Sequence, residues 1–259
     1  MRGLLTKTLV LTAATVMHSH AIFGLGGHWA PAPSLSVAAD SGAAFTGGGK
    51  EIGLNNKGVD GLNGFGAKLW IDVLPFIDIE LAGNLQFGAY DVDMIFPTSS
   101  GGTTVVPLEF DLGMPLAPST PVFARATGDL AILYPFLKLP PGISIAKFYA
   151  GAGMSYGVAT EVLTPEFAKK SLDKEKANDP LFNAATATQE EISSVLVNAI
   201  ADEALQSGVG FFLQLGAHVK PPIIPLAIYA DVKYHFLSYM PDALEGADIT
   251  LELGGALAF

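Results

Sequence analysis

Residues 208–219 read Gly-Val-Gly-Phe-Phe-Leu-Gln-Leu-Gly-Ala-His-Val. Val209, Phe211, Leu213, Leu215, Ala217 and Val219 share one face of an extended chain, and Gly210, Phe212, Gln214, Gly216 and His218 share the other. A two-residue period is the period of a strand. A proline-rich turn, Pro221-Pro222 to Pro225, follows. Alternation then resumes, with Leu226, Ile228, Ala230, Val232, Tyr234 and Phe236 set against Ala227, Tyr229, Asp231, Lys233 and His235. One apolar face and one charged face are what the wall of a transmembrane barrel requires.

The same signature recurs upstream. In 64–73, Phe65, Ala67, Leu69, Ile71 and Val73 oppose Lys68, Trp70 and Asp72; in 76–91, Ile77, Ile79, Leu81, Leu85 and Phe87 oppose Asp78, Glu80, Asn84, Gln86 and Tyr90. In 122–135, Ala126, Leu130, Ile132 and Tyr134 oppose Arg125, Thr127 and Asp129; in 144–160, Phe148, Ala150, Ala152, Met154, Tyr156 and Val158 oppose Lys147, Tyr149 and Ser155. Residues 248–259 supply a last strand and about 33–46, with Leu35, Val37 and Ala39 alternating, a weaker first one. The expected fold is all-β: about eight antiparallel strands closed into a barrel, the smallest usual count.

The connections sort by length. Short, proline-containing ones lie at Leu74-Pro75, 136–143 and 220–225; long ones lie at 47–61, 92–121, 161–207 and 238–247. Strict alternation of short periplasmic turns with long external loops is a property of outer-membrane barrels, and places both chain ends on the periplasmic side. Val105 to Met114 also alternates and is read as a hairpin arm of the second external loop, since a ninth wall strand makes the count odd.

Composition agrees. Half of the 259 residues are hydrophobic, 15% are charged, and mean hydropathy is +0.41. Soluble domains carry roughly 25% charged residues. Beyond the N-terminus no run approaches the ~20 apolar residues of a spanning helix. A soluble lipocalin-like barrel is the alternative, and it inverts the two faces. The absence of cysteine excludes disulfides and thiolate metal sites. A net charge of −11 argues against nucleic acid as partner.

Residues 1–21 read as a signal peptide, with Arg2 and Lys7 before the apolar Leu9–Met17 and Ser19-His20-Ala21 at the cleavage site. The mature domain is then 22–259, exported to the outer membrane.

The third external loop, about 161–207, carries helical signals. Thr164-Pro165 reads as an N-cap with proline at the first helical position, and Thr188 to Glu191 as a capping box. Ile192, Val195, Leu196, Ala199 and Ile200 then recur at helical spacing. That stripe has to bury itself. It does so as a lid over the barrel mouth or by packing on neighbouring loops.

At the C-terminus, Glu252, Gly254, Leu257 and Phe259 resemble the terminal assembly signal of outer-membrane β-barrels. More broadly, residues 29–259 resemble small eight-stranded barrels of the OmpA and OmpW type, in architecture and end signal. The resemblance implies recognition by the barrel-assembly machinery and periplasmic chaperones, with outer-membrane lipid around the wall. It carries no ligand residues, and no soluble peptidoglycan-binding domain is expected after the barrel, since the sequence stops at the last strand.

The inward faces hold Lys68, Arg125, Lys147 and Lys233 with Asp72, Asp78, Glu80, Asp129, Asp231 and Glu252. Eight strands enclose a space just wide enough for side chains to fill. The charges form either a salt-bridge plug or a narrow hydrated channel. His28 sits near the mature N-terminus, and His218 and His235 near opposite barrel ends, so no metal or other cofactor is expected. His235, Ser238, Glu245 and Asp248 near the outer rim match no catalytic motif, and Gly47-Gly48-Gly49-Lys50 lacks a phosphate-loop context. The expectation is a non-enzymatic barrel for passive transport or small-ligand binding at its mouth, with a structural envelope barrel as the alternative and an outer-membrane lipid-modifying enzyme as a less favoured one.

Overall fold

The computed structural model describes residues 23–47, 50–72, 76–98, 101–108, 120–140, 145–179, 182–183, 187–203, 205–221 and 223–259. The expected signal peptide lies outside them. In chain order the elements are β1 (Phe23–Trp29), β2 (Ser36–Val37), β3 (Asp40–Gly47), β4 (Lys50–Asn56), β5 (Asn63–Ile71), β6 (Asp78–Ala89), β7 (Val92–Pro97), β8 (Thr103–Pro107), β9 (Val122–Leu139) and β10 (Ala146–Ala159). Helices α1 (Pro165–Asn178) and α2 (Gln189–Glu203) follow, then β11 (Gln206–Val219), β12 (Leu226–Leu237), β13 (Leu244–Glu245) and β14 (Ile249–Ala258).

Eight strands close into an antiparallel ring in the order β1-β14-β12-β11-β10-β9-β6-β5. Closure leaves no strand edge. Side chains alternate as the two-residue period requires. Along β6 the residues are buried and exposed in strict turn. Leu213 is 54% exposed while its neighbour Gln214 is buried. All outward positions of the wall strands are uncharged among the described residues.

The first wall strand is β1, not the expected segment 33–46, which instead forms β2 and most of β3 outside the ring. Its period is hidden because inward positions 24 and 26 are glycines. A Cβ at Gly24 would lie 2.2 Å from the Trp70 ring, and one at Gly26 would lie 2.6 Å from the Ala256 Cβ. The first long connection therefore runs from Ala30 to Leu62 and holds β2, β3 and β4. The alternation of connection lengths survives the change. The start of β1 and the end of β14 meet at the end with the short connections, where Phe23 and Phe259 exchange backbone hydrogen bonds of 3.2 and 2.9 Å.

The long connections build a cap at the other end. A separate sheet has the order β3-β4-β7-β8, so the second-loop arm is indeed outside the wall, its residues 109–119 lying outside the described set. β2 pairs with β13 and ties the first long connection to the fourth. Helix α1 packs on β3 and β4, and α2 packs on α1. Both helix starts follow their sequence signals. The Phe167 amide donates to Thr164 Oγ1 at 3.1 Å, and the Thr188 amide donates to Glu191 Oε2 at 2.7 Å. The cap has its own apolar core, including Leu54, Met94, Leu163, Phe167, Leu172 and Leu196.

Candidate functional site

All ten sequence-selected charges point into the barrel, and they meet in three tiers. Nearest the cap, Arg125 donates to Asp248 through both terminal nitrogens, at 2.6 and 2.7 Å, and to Gln86 Oε1 at 2.5 Å. Gln86 in turn donates to the Ala30 carbonyl at 2.7 Å.

The middle tier is a knot of two lysines and four carboxylates. Lys68 lies 2.8 Å from Glu252 and 3.2 Å from Glu80, and pairs with Asp231. Lys233 lies 2.7 Å from Glu252, 3.0 Å from Asp129 and 3.5 Å from Glu80. Neutral groups complete it: Tyr149 donates to Asp231 at 2.6 Å and Ser155 to Asp129 at 2.7 Å. Asn84 donates to Glu252 at 3.0 Å. Lys68 also sits over the Tyr229 ring, 4.6 Å from its centre.

At the opposite end Lys147 holds Asp72 at 2.8 Å and Asp78 at 2.6 Å. Trp70 and His218 meet edge to face beside it, 4.7 Å apart. The void in this tier has a volume of 10 Å³, room for about one water. The tiers join strands that are not neighbours in the ring, so they cross the lumen and fill it. Charges out of water persist only when paired in this way.

His28 is the residue that sequence reasoning missed most clearly. It is not at a free terminus. It is buried, with Nε2 2.6 Å from Asn84 Oδ1 and Nδ1 2.9 Å from the Tyr229 hydroxyl. Asp248, the partner of Arg125, was readable as a rim acid only, although it shares its phase with Thr250 and Glu252. His218 and His235 do stand at opposite ends. The Ser238 hydroxyl donates to the Val209 carbonyl at 3.0 Å, and the His235 ring lies against Phe212. These residues assemble no nucleophile–base pair. Among the described residues no group of three metal-ligating side chains converges.

The end-signal residues take distinct places. Glu252 belongs to the central knot. Gly254 faces inward where a Cβ would lie 2.6 Å from both His28 and Tyr229. Leu257 faces outward, and Phe259 stacks near Phe23 with ring centres 5.6 Å apart.

In α2, Ile192 and Leu196 are buried in the cap core, with Val195 and Ala199 partly buried against it; the side chain of Ile200 lies outside the described residues. The stripe thus packs within the cap. At the mouth, Tyr239 from the fourth long connection is buried against the inner wall. Its ring lies over the paired inner glycines Gly157 and Gly208; a Cβ at Gly208 would stand 2.9 Å from that of Tyr239. Tyr90 joins cap to barrel by accepting from the Leu163 amide at 2.9 Å, and burial pushes its hydroxyl up to about 12. Beside α1 the cap opens a cleft of 740 Å³, lined by Asp40, Glu161, Glu166 and Asp242 with Phe167 and Met240 among others.

No protein-family model matches the chain, and no curated protein matches it. Among solved structures the chain is similar to the outer membrane protein OprG from Pseudomonas aeruginosa, at 12% identity over 93% of this chain and 98% of that one, with a TM-score of 0.46. It is similar also to Ail, the attachment invasion locus protein of Yersinia pestis, at 11% identity over 93% and 99%, with a TM-score of 0.42.

Proposed function

We propose that this chain is an integral outer-membrane barrel with a solid lumen, whose activity is recognition of a small ligand at the external cap and not passage through the barrel. The observation that carries the reading is the set of cross-lumen ion pairs beneath an uncharged outer wall. A wall of that kind suits lipid, where an exposed charge near the midplane costs about 2–4 kcal/mol. Two aromatic belts flank it. Trp29, Phe65, Tyr156, Phe211 and Phe236 lie toward the cap, and Phe23, Tyr134, Phe148 and Phe259 toward the short turns. Phe148 and Tyr156 of β10 are eight residues apart. At ~3.4 Å per residue and a tilt of about 40° that is a height of roughly 20 Å, close to the ~25 Å apolar band of such barrels.

The 740 Å³ cleft falls within the roughly 300–1,000 Å³ of small-molecule sites. Its carboxylates disfavour anions. The test is conductance in planar bilayers, for the whole protein and for a variant with residues 165–203 replaced by a short Gly-Ser link. Neither is expected to pass steady current, because the tiers under the cap remain. Steady ion flow through either would overturn the solid-lumen reading and restore passive transport. A structural barrel is the second reading, favoured by the same filled lumen. It predicts that the variant without the two helices loses no ligand binding relative to the whole protein.

A further inference from the structure

We propose that the turn end of this barrel is built to lie in the headgroup layer of the periplasmic leaflet, against anionic phospholipid, and not to project into water. The inference rests on the membrane-spanning reading above.

Turns are made mostly of Gly, Pro, Asn, Asp and Ser. The three short connections here, 72–77, 140–145 and 220–225, carry six prolines and are otherwise mainly Val, Leu, Phe and Ile. Among the described residues, apolar side chains of these connections point outward to solvent-accessible surface. Ile223 is 92% exposed and Phe76 71%, with Ile224 and Leu139 beside them also exposed. Apolar surface of this kind on one face marks a contact surface. Proline has no amide N–H. A proline-rich turn therefore leaves fewer backbone donors that need water, which is an advantage only where water is scarce.

The surface is continuous with the lipid-facing wall. Phe76 and Ile223 stand two to three residues beyond the first wall residues Asp78 and Leu226. Two to three residues at ~3.3 Å each reach about as far as the roughly 5–8 Å headgroup region on each side of the hydrocarbon. The charge balance at this end also differs from the rest of an acidic protein. Asp72 and Asp78 are both held by Lys147. Lys138 and Lys220 have no ion-pair partner among the described residues. Two free lysines on an apolar rim complement phosphate groups at a lipid surface.

The chain has no cysteine, so single cysteines can carry a polarity-sensitive fluorophore at chosen places. The full protein is purified with Ile223→Cys, Leu213→Cys or Glu245→Cys and placed in phosphatidylglycerol-containing nanodiscs, whose two faces are both open to iodide. The label at 213 reports the wall and that at 245 the cap. The expected result is quenching of the label at 223 by nitroxides on lipid headgroups and upper acyl chains, with iodide quenching several-fold weaker than at 245. Lys138→Gln with Lys220→Gln should remove the preference for phosphatidylglycerol over phosphatidylcholine among co-purified lipids. If lipid nitroxides fail to quench the label at 213, the membrane-spanning reading itself falls. If 213 is quenched by lipid but 223 is as open to iodide as 245, this inference alone falls. Shielding of 223 from both quenchers also overturns it, since protein then covers the surface. An unchanged lipid preference in the lysine variant would overturn the anionic-lipid part.

Discussion

Arg125 and Asp248 grip each other across the full width of the barrel. Arg125 stands on β9 and Asp248 at the start of β14, and these strands are four places apart by either way round the ring. The two hydrogen bonds of 2.6 and 2.7 Å therefore form a crossbar under the cap. Removing one partner leaves the other charge buried. Arg125→Ala should cost about 3–5 kcal/mol of stability. Arg125→Leu with Asp248→Leu should recover most of that loss. Urea unfolding from lipid vesicles measures both, and a single variant as stable as the parent would show that the crossbar contributes little.

The two faces of β11 set a second expectation. On the proposed membrane-spanning reading, Leu213→Arg puts a charge on the lipid side and should cost about 2–4 kcal/mol. Leu205→Arg changes a residue that is 69% exposed just before the strand. It should stay within about 0.5 kcal/mol of the parent. The folded fraction read from heat-modifiable migration separates the two, and equal fractions would contradict the orientation of the wall.

Assembly is tested at the last residue. Phe259 both pairs with Phe23 along the backbone and stacks near its ring. Phe259→Asp should lower the yield of folded barrel in isolated outer membranes, while Phe259→Tyr should preserve it, because an aromatic ring remains at the interface. Normal yield of the aspartate variant would remove the assembly role.

A pH effect is expected at the start of α2. The backbone and side chain of Thr188 hold the Glu191 carboxyl below its ordinary pKa. A lowered folded value means that the capping box contributes above the usual glutamate range and is lost as pH falls through the lowered value. Amide exchange at Thr188 and Glu191 should therefore rise on acidification, once corrected for intrinsic rates, and Glu191→Gln should flatten that response.

Strand alternation was legible wherever both faces carried side chains. In β5, β6 and β12 it set the charged residues on the inward face from the residue types alone. It failed at β1, because Gly24 and Gly26 have no side chain to mark a face, and their absence is what lets Trp70 and Ala256 fit. Partners across the lumen were not legible. Lys68 and Asp231 are 163 residues apart, and only the ring order makes them meet. Tyr239 was equally hidden: its place depends on Gly157 and Gly208 being paired on neighbouring strands. The helical stripe was readable, but periodicity does not say which surface will receive it, and the receiver is the cap core.

The β1–β14 seam has the shortest ladder of the ring, with six residue pairs from Gly24 to Trp29, against fourteen between β10 and β11. Under load it is where a tear would start. Yet β2 and β13 bind the two connections that leave it at one end, and Phe23 and Phe259 clasp it at the other. A crack at the seam has no free lip from which to run. Pulled apart by force, this barrel should therefore rupture in one abrupt event after one of those end fastenings gives way, and not by gradual peeling from β1.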